Sequence, residues 1–238
     1  MMKTIGMIGG MSWESSLEYY RRVNQLVKAK LGGFHSAKCL MYSVDFHDIE
    51  ELQHRDDWEK AAEMMIDAAG KVEKGGADFL IICTNTMHKV AEAVRAHIRI
   101  PLLHIADPTA DKVKSHGITK VALLGTRFTM EEDFYKGRLI QNHGLEVIVP
   151  PDDEMDIVHR VIYDELCLGA IHPSSRDQYL KIVDHLIDKG AEGVILGCTE
   201  IGLLIKNGDS RIPFFDTTSI HAEAAVAYAL DAPNKGKD

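Results

Sequence analysis

The stretch Ala77-Asp-Phe-Leu-Ile-Ile-Cys83-Thr-Asn-Thr86 and its echo Ala191-Glu-Gly-Val-Ile-Leu-Gly-Cys198-Thr-Glu200 decide how this chain is read. Each follows Gly-Ala, runs apolar for a few residues and ends abruptly in Cys-Thr. A short apolar run bounded by polar residues suits a parallel strand covered on both faces. The cysteine then closes the strand at its carboxyl end, where open α/β sheets hold ligands. One cysteine in such a place is ordinarily a small buried hydrophobe. Two in equivalent places point to chemistry.

The echo extends along the chain. Thr4-Ile-Gly-Met-Ile-Gly9 recurs as Lys120-Val-Ala-Leu-Leu-Gly125, and Ile100-Pro-Leu-Leu as Ile212-Pro-Phe-Phe. Gly9 to Gly125, Cys83 to Cys198 and Pro101 to Pro213 are separated by 116, 115 and 112 residues, a near-constant offset over half the chain. Halves related in this way are expected to pack about a pseudo-twofold axis. The expected fold is α/β, two pseudo-symmetric doubly wound parallel-sheet domains with the active site in the cleft between them. Residues 1–105 with 217–238 form the first domain, bearing Cys83, and 106–216 the second, bearing Cys198.

At 238 residues, the chain is long enough for two small cores. Its net charge of −9 argues against a nucleic-acid or anionic-membrane partner, which needs a basic face. The N-terminus has one lysine and a short apolar run, so no signal peptide is expected, and no apolar stretch approaches the length of a membrane span. Cys39, Cys83, Cys167 and Cys198 form no Cys-x-x-Cys pair and read as reduced cytoplasmic thiols.

The predicted elements begin with a strand over 4–8, a Gly9-Gly10 turn and a helix capped by Ser12 or Ser15 that runs to about Lys30. Strand 38–44, a loop or short helix over 45–55, a helix over 57–74 and strand 79–82 follow. Next come a helix ending near His97, a fourth strand over 100–105 and a helix opening at Asp107-Pro108. The second half predicts strand 120–124, a helix through Leu139, strand 145–149 and helices over 154–168 and 176–189. Strands 193–197 and 213–215 and a helix over 220–230 complete it, with residues 232–238 expected to be mobile.

Several chemistries are missing from the pattern. Gly6-x-x-Gly9-Gly10 is not a dinucleotide fingerprint, and the chain lacks a phosphate loop, a Gly-x-Ser-x-Gly elbow and a His-Glu-x-x-His helix. Cys83 and His88 lie five apart, but no third ligand accompanies them, so no metal site is expected and no cofactor is called for. Thr84, Asn85 and Thr86 read either as helix caps or as donors to an anion. If a helix starts directly after Cys83, its free amides and dipole lower the thiol pKa.

Two thiols, one from each half, suit inversion of a carbon centre. A base on one face removes the proton, an acid on the other returns one, and the pair titrates as a coupled unit. The carbanion needs donors, and Thr84 to Thr86 and Thr199 stand next to the thiols.

The motifs Gly9-Gly-Met-Ser-Trp-Glu-Ser15, Ser43-Val-Asp-Phe46, Cys83-Thr-Asn-Thr-Met-His88 and Gly197-Cys-Thr-Glu-Ile-Gly-Leu-Leu204 resemble the aspartate/glutamate racemase family, most closely its enterobacterial broad-specificity amino-acid racemase branch. The resemblance covers essentially the whole chain. It implies catalysis without pyridoxal phosphate or metal, with Cys83 and Cys198 as the acid/base pair. It further implies substrate contacts from Met11, Gln53, Thr84, Asn85, Thr86 and Thr199, an amino-acid substrate and a homodimer. Dedicated aspartate racemases of the family place an Arg after the second strand and a Lys in the second half. Here Gln53 and Cys167 fall at those places, with Arg55 nearby, so looser side-chain selection is expected. Two other readings stay open: a decarboxylase or cis-trans isomerase of a small diacid that uses one cysteine, and an amino-acid binding protein without turnover.

Overall fold

The computed structural model describes residues 2–231. The mobility expected of residues 232–238 therefore falls outside the described residues. The chain divides into two compact units, one of residues up to Cys83, Val90–His104 and the chain from His221, the other of Thr84–Lys89 and Ile105–Ile220.

The first unit is built on a parallel sheet of β1 (Ile5–Gly9), β2 (Cys39–Ser43) and β3 (Phe79–Ile82) in the order β2-β1-β3. Ile5 pairs with Cys39 on one side and Phe79 on the other. β1 and β3 are buried along their whole length, as parallel strands covered on both faces must be, whereas the edge strand β2 is only partly covered. Because side chains alternate across a strand, Ile5, Met7, Phe79 and Ile81 share one face. There they meet Tyr19, Val23 and Val27 of α1 (Trp13–Leu31) and Ala222, Ala225 and Val226 of α11 (Thr217–Leu230). On the opposite face α3 (Trp58–Lys74) lies so close to β1 that a Cβ on Gly6 would stand 2.5 Å from Val72 Cγ1.

The caps are set locally. Ser12 accepts from Ser15 N to open α1, Asp45 from His47 N to open α2 (Phe46–His54), and Asp57 from Lys60 N to open α3. The α4 helix (Ala91–His97) follows a 3-10 turn over Thr86–Val90.

The expected fourth strand over 100–105 is reduced to one bridge, Leu80 to Leu102. The physical reason is donor supply. Pro101 has no N–H, and the amides of Arg99 and Ile100 are both taken by Glu73 Oε1, at 2.7 and 3.2 Å. Two bonds tie the segment to β3, Leu103 N–H to Leu80 O at 3.0 Å and Leu80 N–H to Pro101 O at 2.8 Å.

The second unit carries β4 (Lys120–Gly125), β5 (Glu146–Ile148), β6 (Gly193–Gly197) and β7 (Phe214–Asp216) in the parallel order β5-β4-β6-β7. β4 and β6 hold the places that β1 and β3 hold in the first unit, so the duplication read from the sequence recurs as a repeated strand order. β7 forms a true strand where its counterpart managed a bridge. Around this sheet lie α5 (Ala106–Ser115), α6 (Arg127–Glu131), α7 (Lys136–His143), α8 (Asp152–Asp164) and α9 (Pro173–Asp188). The single helix expected through Leu139 is broken into α6 and α7, because Glu132 adopts an extended backbone and its carboxylate pairs with Lys89 at 2.7 Å.

The β1–α1 turn depends on Gly10, whose φ of +93° suits glycine alone and whose added Cβ would lie 2.1 Å from Val44 O. Gly10→Ala is expected to destabilise the fold by about 3 kcal/mol, combining backbone strain with overpacking against main chain. Denaturant melts of the two proteins check this. An unchanged midpoint would show that the turn can open freely.

Candidate active site

Each thiol is delivered by the end of a fully buried strand. Cys83 N–H makes a last ladder bond to Ile8 O at 2.9 Å, and Ser15 Oγ then donates to Cys83 O at 2.9 Å. That side-chain bond replaces the next ladder partner and ends β3. Cys83 is fully buried in the core shared by α1 and α11. In the second unit Cys198 follows β6 directly and is also buried, while its carbonyl accepts from Ile201 N, the first residue of α10 (Ile201–Leu204). All four cysteines are free.

The expected lowering of the thiol pKa is corrected. Burial pushes Cys83 well above the usual thiol range. Burial, and after it the adjacent Glu200 carboxylate, does the same to Cys198. The supposed dipoles are too short to offset this. A 3-10 turn, not an α-helix, follows Cys83, and α10 is a single turn.

Glu200 is the largest feature that sequence reading passed over. It is buried, and its Oε2 accepts from Cys198 Sγ at 3.0 Å and from Thr199 Oγ1 at 2.5 Å. The Thr199 hydroxyl hydrogen is thereby committed, leaving acceptor lone pairs rather than the free donor expected there. The only signal was adjacency, since Glu200 ends the opening Cys-Thr-Glu motif.

The segment after Cys83 belongs to the second unit. Thr217 Oγ1 donates to Leu196 O at 2.8 Å, so its one hydrogen is spent and it must accept from Asn85 Nδ2 at 3.1 Å. This fixes the orientation of the Asn85 amide and leaves its Oδ1 buried without a hydrogen-bond partner. Thr86 Oγ1 lies 3.0 Å from Thr126 Oγ1, which caps α6 by accepting from Thr129 N. Thr84 is half-buried. Second-unit residues Thr84, Asn85 and Thr86 are therefore tied through Thr217 and Thr126 to the carboxyl ends of β6 and β4. No spacing in the sequence marked Thr217 or Thr126 as their partners.

Met11 and Gln53 are buried in the first unit, Gln53 near the end of α2. Arg55, the cation nearest to it in sequence, is largely exposed and pairs with Glu51 at 3.2 Å. His88 is buried with both ring nitrogens engaged, Nδ1 at 2.8 Å from Thr84 O and Nε2 accepting from Ile105 N at 3.2 Å. Neither nitrogen is left for a metal or for Cys83. Among the described residues no group of three or more His, Cys, Asp or Glu is placed to hold a metal ion, and no helix is long and apolar enough to cross a membrane.

In each unit a buried strand thus ends in a thiol beside amide or hydroxyl groups. Comparison with known proteins gives the family. Residues 8–225 match the Asp/Glu/hydantoin racemase family. A crystal structure of an Asp/Glu racemase candidate from Yersinia pestis is 55% identical, covering 96% of this chain and 100% of that one with a TM-score of 0.90. An aspartate racemase homologue from Pyrococcus horikoshii OT3 is 35% identical, with coverage of 96% and 99% and a TM-score of 0.83. The broad-specificity amino-acid racemase RacX of Bacillus subtilis (strain 168) is 26% identical over 95% of this chain and 98% of its own. The chain belongs to the Asp/Glu/hydantoin racemase family and is accordingly an isomerase, an amino-acid racemase.

Replacing Glu200 by Gln removes a negative charge and the acceptor of the Cys198 proton, so the Cys198 thiol should ionise at lower pH. Thiolate absorbance followed against pH in a protein lacking Cys39, Cys83 and Cys167 reads this directly. An unmoved titration would show that burial alone controls the group.

Proposed function

We propose that Cys83 and Cys198 racemise amino acids as a two-base pair, without pyridoxal phosphate or metal. The observation that carries this reading is their equivalence: each thiol closes the strand that pairs with the first strand of its sheet, β3 on β1 and β6 on β4. The first domain, residues 1–105 with 217–238, would supply Cys83, and the second, residues 106–216, Cys198.

In the reaction, the thiolate of one cysteine takes the Cα proton and becomes a thiol. The electron pair released at Cα delocalises into the substrate carboxylate as an enediolate. The other thiol then delivers its proton to the opposite face, giving the enantiomer and leaving that sulfur as thiolate. We assign Cys83 as the thiolate once substrate is bound and Cys198 as the acid, because the carboxylate beside Cys198 favours its thiol form. Once Cys198 has given up its proton, the same carboxylate makes its thiolate a stronger base for the return reaction. The substrate's ammonium group favours a thiolate nearby and finds an acceptor in the unpartnered Asn85 Oδ1, whose burial alone costs about 1–3 kcal/mol.

Met11, Gln53, Thr84, Asn85, Thr86 and Thr199 form the proposed substrate contacts. The neutral Gln53 stands where a dedicated aspartate enzyme would present a cation, and Arg55 is occupied by Glu51. A neutral amide serves a carboxylate or a hydroxyl, which supports loose selection among small polar side chains. The protein is proposed to work in the cytoplasm as a homodimer; Trp13, Leu17 and Tyr20, exposed at 65, 56 and 51% along α1, supply apolar surface for association.

Cys83→Ala and Cys198→Ala are each expected to lower racemisation by at least about 10²- to 10⁴-fold, while Cys39→Ala and Cys167→Ala leave it near wild type. Polarimetry, with Cα deuterium exchange in D2O followed by NMR, measures this. Full activity in either of the first two variants rules out the two-base mechanism.

On substrate breadth, exchanging a charge-assisted contact for a neutral one costs roughly 1 kcal/mol, about fivefold, so aspartate, glutamate and homoserine should fall well within a thousandfold of one another in kcat/KM. A larger preference for aspartate would mean that a cation reaches the side-chain carboxylate.

A further inference from the structure

We propose that His88 is a positioning residue, a neutral imidazole with its hydrogen on Nδ1, which sets the Thr84–Asn85 peptide by bridging the Thr84 carbonyl and the Ile105 amide. The inference deepens the proposed racemase reading and rests on it for its functional consequence, though not for its geometry.

The tautomer follows from the partners. A carbonyl oxygen only accepts, so at 2.8 Å from Thr84 O the Nδ1 atom must carry hydrogen. A backbone N–H only donates, so Nε2, at 3.2 Å from Ile105 N, must be bare. The ring is buried, and both demands are met by one neutral form. His88 therefore acts as a cross-link within the second unit, joining the segment after Cys83 to the opening of α5.

What it fixes is a peptide plane. In a trans peptide the C=O and the following N–H point in opposite directions. With the Thr84 oxygen held toward His88, the Asn85 N–H is directed away from the imidazole. Two other ties hold side chains of the same segment, Asn85 through Thr217 and Thr86 through Thr126. His88 alone among these three holds the main chain between Cys83 and the Asn85 amide. Without it, the donors next to the thiol can turn away from a developing enediolate while the segment stays attached by its side chains.

Three variants separate the ring's duties. His88→Ala removes both bonds. In His88→Asn the amide nitrogen overlays Nδ1 and restores the bond to Thr84 O without reaching Ile105 N. His88→Gln carries its amide to the place of Nε2. For His88→Ala, kcat/KM is expected to fall about 10²-fold, the loss that a misplacement of about 1 Å produces. It should appear in kcat more than in KM, and His88→Asn should recover most of it while His88→Gln does not. Melting temperatures of all three accompany the kinetics, so that a folding defect, which would not rank Asn above both Gln and Ala, is recognised.

A second arm needs no turnover. Nitrogen-15 NMR of His88 should show the neutral form with hydrogen on Nδ1. Amide exchange at Thr84 to Thr86 should quicken about fivefold in His88→Ala and stay near wild type in His88→Asn. An Nε2–H tautomer, a protonated ring at neutral pH, or equal kinetics for the Ala and Asn variants overturns the inference. Wild-type protein that shows the predicted tautomer and exchange but racemises no amino acid refutes the racemase reading instead, and leaves the strut established.

Discussion

Covering a parallel sheet on both faces is the constraint on which this molecule depends. It buries β1, β3 and β6 from end to end, and β4 beyond Lys120, and draws α1, α3 and α11 against the first sheet. It also imposes a chemical condition on anything placed at the strand ends. Cys83 and Cys198 inherit the dryness of the strands they close, and that dryness disfavours a thiolate. Either sulfur can carry a negative charge only where something nearby compensates it. A site that also bound a long helix N-terminus beside each sulfur would lose this property, and the short turns after both cysteines avoid it.

Around the two thiols the hydrogen-bond partners differ, although the strands that carry them correspond. Cys83 has its carbonyl closed by Ser15, while the Cys198 sulfur itself donates to a buried carboxylate. Duplication of a backbone plan has left unequal electrostatics at the two thiols. An enzyme that interconverts enantiomers must satisfy the equilibrium between them whatever its groups, so in the proposed two-base reading inequality of the thiols affects which proton moves first rather than where the reaction ends.

The segment Thr84–Lys89 shows how single-donor groups order a site. The Thr217 hydroxyl has one hydrogen, the Leu196 carbonyl claims it, and the orientation of the Asn85 amide follows without further choice. The amide oxygen is then stranded in the interior. Buried polar groups are normally paired, and an exception beside a candidate catalytic thiol is the kind of deficit that a ligand repairs.

Much of this was legible in one dimension. Most strand positions, the cap at Ser12, the duplication and both cysteines are local matters, written in apolar runs, a capping residue and a repeated offset. What the tertiary structure decided depends on partners distant in sequence. Glu73 takes the amides of Arg99 and Ile100, so a predicted strand becomes a bridge. Glu132 meets Lys89, and a predicted helix becomes two. Burial overrode the helix-dipole argument for the thiols, since dryness is a property of everything packed around a group and a dipole only of the turn beside it. Thr126, Thr217 and Ile105 join Thr86, Asn85 and His88 across 40, 132 and 17 residues, and no periodicity reports bonds of that kind. Apolar runs and a repeated spacing pick out the two thiols, but the proton each one holds is determined by the neighbours that folding brings to it.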